Sequence, residues 1–324
     1  MDRYIEAVDG RKPDRNHAPL KASLRPVKER LGDLRWDQLT QDEVDSYVEW
    51  RLTNERWAGD GKARQNPVGT ISQSTAQKDL RMLRTAMNDA LTRRFIPHEV
   101  KFRINVTAAA SKDVWLTKAE VTRMLEACEL RESVRGEDGK VNARRRDRQH
   151  IYAFILISIS TAARKEAVLS LKWDQVHIPR PEDLREGVKL FDFDAGKAGA
   201  NAYIDFGDGH GNKRRPTMPI GNNWRLMSYI AFGGDREQPY VISYRGKPVK
   251  DIKKGFAAVV EDAGIKNKVT PHTLKHTVIT WMVQSGIKLT TISELTNTSE
   301  KILRSVYSHH RPDYEAELGD ALAL

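Results

Sequence analysis

One cysteine in 324 residues, Cys128, leaves no partner for a disulfide and no thiol cluster for a structural zinc. It lies in MLEACEL on the apolar side of an expected helix, the setting of a buried, inert thiol. No apolar run approaches the length that spans a bilayer, and the N-terminal MDRYIEAVDGRKPDR has no apolar core of the kind a secretory signal carries. A cytoplasmic protein is expected. Internal repeats and low-complexity tracts are also missing.

Acidic residues are the minority, 44 against 54 Lys and Arg, for a net charge of +10 and a pI near 9.5. A surplus of that size attracts polyanions over a Debye length, which makes nucleic acid the first partner to consider. The chain is also long enough for two domains with a core each.

The N-terminal third reads as helical. Thr40-x-x-Glu43 has the form of a capping box ahead of Val44, Tyr47, Val48 and Leu52 at helical spacing. Residues 58–73, rich in Gly, Pro and polar side chains, read as a connection. Ser74-x-x-Gln77 is expected to start a helix with Leu80, Leu83, Met87 and Leu91 inward, and with Lys78, Arg81, Arg84 and Asn88 on a basic face suited to a DNA backbone. Pro97 closes it, and EVKFRINVTAAASKD reads as an extended linker, so domains are expected over 1–111 and 112–324. A capping box at Thr117 and Glu120 then begins a helix, VRGEDGKVNARRRDRQ reads as a charged loop, and HIYAFILISISTAAR is a buried helix or strand. VKLFDFD, AYIDF and RPTMPI, between glycine-rich turns, read as a small antiparallel sheet, after which helices return from about residue 250. The expected fold class is mainly α with a small antiparallel β-sheet (α+β).

Chemistry concentrates near the C-terminus. In TPHTLKHTVITWM, Thr270 can cap a helix and Pro271 suits its first position, which puts His272 among free amides at the positive end of the helix dipole. His272, Lys275 and His276 share one side, with Leu274, Val278, Trp281 and Met282 on the other. Gly286 stops this helix, Thr291-x-x-Glu294 suits a cap for the next, and Thr298 suits a cap for a third with Ile302, Leu303 and Val306 inward and Tyr307 beside them. A phenol attacks a phosphodiester only when its proton is removed or its oxyanion stabilised. Cations and a histidine nearby would do both.

These motifs resemble those of the tyrosine recombinases of the phage-integrase family. TAARKEAVLSLKWDQV matches a run like T-G-x-R-x-x-E-x-x-x-L with Arg164, and PHTLKHT matches H-x-L-R-H-T with His272, His276 and Thr277, Lys275 taking the second arginine's place. Counting nine residues back from Tyr307 reaches Thr298 where histidine or tryptophan is usual, with Asn297 where glycine is usual. GHGNKRRPTMPI offers Lys213 as the hairpin lysine, flanked by His210, Arg214 and Arg215. The resemblance implies a helical DNA-clamping domain followed by a catalytic domain. Arg164 and Lys275 would hold the scissile phosphate, His272 would act as acid/base, Lys213 would protonate the leaving oxygen, and Tyr307 would form a 3′-phosphotyrosyl link, without metal or other cofactor. Lys78, Arg81, Arg84, Arg214, Arg215 and His276 would contact DNA. A homotetramer on two DNA attachment sites is implied, joined through the tail RPDYEAELGDALAL. Lysine at 275 keeps charge but gives up a planar fork, a loss of about 1.5–3 kcal/mol if one charged hydrogen bond goes. Thr298 can donate a hydrogen bond but cannot ionise.

Two other readings share these residues. A non-catalytic DNA-binding protein would use Gly286 as the turn of a helix-turn-helix, and a type IB topoisomerase-like enzyme would use the same tyrosine chemistry to relax supercoils.

Overall fold

The computed structural model describes residues 1–11, 18–57, 67–105, 114–129, 131–135, 141–145, 148–178, 202–207, 217–220 and 223–310. The described chain is mostly helical with small antiparallel sheets, and it divides into two compact units, Met1–Ala110 and Ser111–Leu324.

The first unit contains α1 (Asp2–Arg11), α2 (Ala18–Leu31), α3 (Gln41–Thr53) and α4 (Gln73–Thr92). Its core is Val27 and Leu31 from α2, Val44 and Tyr47 from α3, Leu80 and Leu83 from α4, and Phe102 from the segment that follows. The Thr40 hydroxyl accepts from the Glu43 amide and caps α3. A polar group also lies inside. Asp79, only 2% exposed, accepts from the Tyr47 hydroxyl at 3.1 Å and from Arg51 Nε at 3.0 Å, so its charge is both paired and hydrogen-bonded, as burial requires. Burial and the neighbouring Asp79 carboxylate push the Tyr47 pKa up, which keeps it a phenol that donates.

Two expectations change here. Residues 67–70 are not a structureless connection: β2 (Pro67–Thr70) pairs antiparallel with β1 (Glu55–Trp57). Helix α4 starts at Gln73 with Ser72 as its N-cap, rather than from Ser74. The hairpin accounts for the shift, because the Ile71 amide bonds the Asn54 carbonyl at 3.0 Å and holds the chain extended up to Ser72. The end of α4 also precedes Pro97, since Arg94 turns left-handed at φ 59° and the Phe95 amide closes on the Ala90 carbonyl.

The second unit is built around α6 (Gln149–Thr161). Ile151, Phe154, Ile155, Leu156 and Ile157 are each 1% exposed or less; their consecutive burial marks a helix covered all round. Helix α5 (Lys118–Cys128) carries the expected capping box, the Thr117 amide donating to Glu120 Oε2 at 2.8 Å and the Glu120 amide to Thr117 Oγ1 at 3.2 Å. Cys128 is buried. Helix α9 (Lys253–Asp262) approaches α6 so closely that a Cβ at Gly255 would meet Ile151 Cδ1 at 2.5 Å, so a larger residue there would have to push that methyl aside. The charged stretch after α5 contains an antiparallel pair where a loop was expected, β3 (Arg131–Arg135) with β4 (Val141–Arg145). A three-stranded antiparallel sheet follows in the order β5 (Val176–His177), β6 (Tyr203–Asp205) and β7 (Thr217–Pro219). AYIDF and RPTMPI supply β6 and β7, with Ile204 opposite Met218 and both buried. VKLFDFD lies outside the described residues. Helix α7 (Lys165–Leu169), helix α8 (Trp224–Ser228) with a π-turn over Tyr229–Gly233, and a two-strand ribbon of β8 (Ser243–Tyr244) and β9 (Lys247–Pro248) complete the unit's first part.

The last three helices are α10 (Pro271–Gln284), α11 (Leu289–Thr296) and α12 (Glu300–Tyr307). Their shared core is Ile279, Val283, Leu289, Ile292, Leu303 and Tyr307. Gly286, at φ 72°, ends α10 as expected, with the Ile287 amide closing on the Met282 carbonyl. Helix α11 begins at Leu289, two residues before Thr291, because Leu289 and Ile292 enter the core together and need one helical face. Ser299, not Thr298, stands at the N-cap position of α12. Ile302 is 50% exposed rather than inward, since Leu303 and Tyr307, four apart, already set the buried stripe of an eight-residue helix. Among the described residues no helix is long and apolar enough to cross a membrane.

Candidate active site

Helix α10 carries three site residues. Thr270 and Thr273 form its reciprocal cap, the Thr270 amide donating to Thr273 Oγ1 at 3.0 Å. One turn further in, both polar groups of the Leu116 backbone pin the helix, its amide to Thr277 Oγ1 and its carbonyl to Trp281 Nε1, each at 3.0 Å. This fixed helix presents His272, Lys275 and His276.

Lys275 is 7% exposed, so it belongs to the buried part of α10 rather than to an open polar face. Its Nζ donates to the Thr296 carbonyl at 2.5 Å. Arg164, from the turn ahead of α7, donates through a terminal guanidinium nitrogen to the next carbonyl, Asn297, at 3.0 Å. Two cations thus share consecutive carbonyls where α11 ends and its dipole is negative. Thr298 turns its hydroxyl to the Thr296 carbonyl as well, at 3.4 Å. Burial, then the Arg164 charge, lowers the Lys275 pKa to about 8.

The backbone that creates this juxtaposition is strained at two non-glycine positions. Ala162, where the resembled run has glycine, adopts φ 50° and ends α6. Asn297, where the last motif has glycine, adopts φ 48° and ψ 48°. Both are left-handed, at a cost of roughly 1–2 kcal/mol for alanine, while asparagine tolerates the region. Ala162 aims Arg164 and Asn297 offers the carbonyl that receives it.

Tyr307 is 4% exposed, and its hydroxyl is hydrogen-bonded to His276 Nδ1, their rings 5.8 Å apart. The histidine on the phenol is therefore His276, not His272. His272 meets His276 edge-on at 4.7 Å between ring centres. Crowding around its ring lowers the His272 pKa, and the charges of Lys275 and Arg164 add to this against a smaller opposing pull from Glu166, although the residue keeps an exposed edge. At neutral pH His272 is thus held towards the uncharged form.

The structure brings together Arg164, His272, Lys275, His276, Thr298 and Tyr307. Lys213, Arg214 and Arg215, Tyr314, and the tail from residue 311 lie outside the described residues. In the first unit, Lys78 and Arg81 are exposed on α4. Arg84 is engaged by its own fold: it donates to the Phe102 carbonyl at 2.5 Å and lies over the Phe102 ring, 4.9 Å from its centre. Sequence reasoning missed the carbonyls of Thr296 and Asn297, because a backbone atom has no motif. Among the described residues no group of three or more His, Cys, Asp or Glu is placed to hold a metal.

A buried tyrosine hydrogen-bonded to a histidine thus belongs to the same helical trio whose α11 end is shared by two cations. Residues 225–313, which include α10 to α12, match the phage integrase family. Tyrosine recombinase XerC of Chlamydia caviae is 28% identical over 110 residues, 31% of this chain and 35% of that protein. Across the curated relatives, the matched stretch spans from 17% to 40% of their length. Among solved structures, the Tn1549 transposon integrase in complex with transposon right-end DNA shares the fold with a TM-score of 0.62 at 15% identity, covering 99% of this chain and 98% of that one. A lambda integrase tetramer bound to a Holliday junction has a TM-score of 0.55 at 15% identity, covering 92% of this chain and 76% of that one.

Proposed function

We propose that the chain is a site-specific DNA recombinase that cuts and rejoins strands through a 3′-phosphotyrosyl intermediate on Tyr307, acting in the cytoplasm. The observation that carries this reading is the hydrogen bond between Tyr307 and His276 beside Lys275 and Arg164. In the cleavage step the Tyr307 oxygen forms a bond to phosphorus as the phenol proton passes to His276 Nδ1, and the bond to the 5′ oxygen breaks, that oxygen keeping the electron pair and taking a proton, the role the resemblance gives to Lys213. Arg164 and Lys275 exchange the carbonyls of Asn297 and Thr296 for the nonbridging phosphate oxygens, which gain charge in the transition state. His272, held uncharged, hydrogen-bonds the same group and completes the acid/base pair. Because the phosphotyrosyl ester retains the energy of the phosphodiester, attack by a DNA hydroxyl reverses the step without a cofactor.

The first unit would clamp the duplex, the second cut it, and four copies on two attachment sites would exchange strands through the tail after Tyr307. Lys78 and Arg81, both exposed on α4, would contact phosphates. Arg81→Ala should lower the slope of log affinity against log salt by about 1 without changing the preferred sequence; an unchanged slope puts α4 off the DNA.

The reading is tested with suicide duplexes of randomised core and a denaturing gel. Wild-type protein should give a covalent adduct that Tyr307→Phe loses. Tight binding to one sequence with no adduct would instead support a DNA-binding regulator, and relaxation of supercoils without sequence preference would support a topoisomerase.

A further inference from the structure

We propose that Trp115 is a positioning residue for the nucleophile: its ring, acting through His310, holds the end of α12 so that the Tyr307 hydroxyl stays in line for attack. This rests on the strand-cleaving reading above. Tyr307 needs such a brace. It is the last residue of α12, a helix of eight residues whose buried side chains are Leu303 and Tyr307, and helices shorter than about 12–15 residues are marginal without tertiary contacts. The last turn of a helix also carries carbonyls with no partner inside the helix, so it is the end that frays. A misplacement of about 1 Å can cost about 100-fold in rate. Fraying at Tyr307 would therefore be felt in the chemistry.

The brace comes from the start of the second unit. Past Tyr307 the chain makes a tight 3-10 turn, Ser308–His310, in which side chains three apart lie on one side, so His310 stands one turn on from the phenol. The half-buried Trp115 meets the His310 ring edge-on, with 6.0 Å between centres and 80° between planes, an arrangement in which aromatic rings attract. Trp115 is itself fixed. Its neighbour Leu116 is fully buried, donates its amide to Thr277 Oγ1 and accepts from Trp281 Nε1, each at 3.0 Å, both on α10. The contacts form a closed path: α10 holds Leu116, Trp115 bears on His310, His310 follows Tyr307, and Tyr307 returns to α10 through His276. Removing the Trp115 ring opens that path without touching Arg164, His272 or Lys275.

The probe is a suicide duplex carrying the sequence that wild-type protein traps as adduct from a randomised-core library. In single turnover Trp115→Ala should form adduct about 10- to 100-fold more slowly than wild type, while its Kd for the uncut duplex stays the same. Trp115→Phe, which keeps an aromatic edge for His310, should recover most of the rate. A purely structural loss would not divide this way between binding and chemistry. His310→Ala should reproduce the loss, and the double variant should be no slower than either single one, because both changes break one contact. His310 lies in the turn after α12, so this arm stands even if Trp115→Ala fails to fold. Wild-type rates in His310→Ala, losses that multiply in the double variant, no recovery in Trp115→Phe, or a fall in duplex affinity equal to the fall in rate would each overturn the proposal while leaving Tyr307 chemistry intact. No adduct from wild type on any sequence would overturn the underlying reading, and this role with it.

Discussion

Arg164→Ala should lower the rate of adduct formation by roughly 10³-fold or more, the scale on which a single arginine acts at a transferring phosphoryl group, while thermal stability barely moves. The two effects separate because of where the residue lies. Its side chain is exposed and its bond is to the Asn297 carbonyl at the surface, so removing it should cost within about 0.5 kcal/mol of folding energy. In the DNA complex the same guanidinium faces the phosphate. Single-turnover cleavage of a suicide duplex and a thermal melt, run on one preparation, check the pair of outcomes. A stability loss matching the activity loss would reduce Arg164 to a strut for the α11–α12 turn.

The second large effect belongs to the first unit. Asp79→Ala leaves the Arg51 guanidinium, whose side chain is 13% exposed, without its carboxylate and the fully buried Tyr47 hydroxyl without its acceptor. Breaking a buried pair by removing one partner costs about 3–5 kcal/mol, because the remaining charge stays desolvated. Asp79→Asn should lose less, since an amide oxygen still accepts from one of the two donors. Denaturant titration of both variants checks the order; equal and small losses would mean that water reaches Arg51 and takes over the carboxylate's part.

The candidate site was legible where chemistry is written in side chains at fixed helical spacing. Thr270-Pro271 at the start of α10, Gly286 after it, and the placing of His272, Lys275 and His276 on one helix follow from caps and period. Which histidine reaches Tyr307 does not follow. Residues four apart share a face, and the choice falls to how α12 crosses α10, which no local pattern encodes. The burial of Lys275 was hidden for a related reason: a lysine among histidines reads as solvated until α11 brings the Thr296 carbonyl over it. In the fold, long apolar elements such as α6 were visible, while β1, β2, β3 and β4 were not. A strand such as Arg131–Arg135, RESVR, has no alternating apolar face and forms by backbone pairing with Val141–Arg145. Helix starts shifted by one to three residues, and at α4 several hydroxyls compete to cap, Ser72 Oγ lying 3.0 Å from both Ser74 Oγ and Thr75 Oγ1.

The central claim turns on which atom of the protein becomes joined to DNA. Tyr307 is held in the α10–α12 core with its hydroxyl on His276, the kind of fixed geometry that in-line attack demands; Tyr314 follows Pro312 in the tail outside the described residues. Trapped adduct, digested and sequenced by mass spectrometry, should carry the nucleotide mass on Tyr307. Nucleotide on Tyr314, or an adduct that survives Tyr307→Phe undiminished, would contradict it.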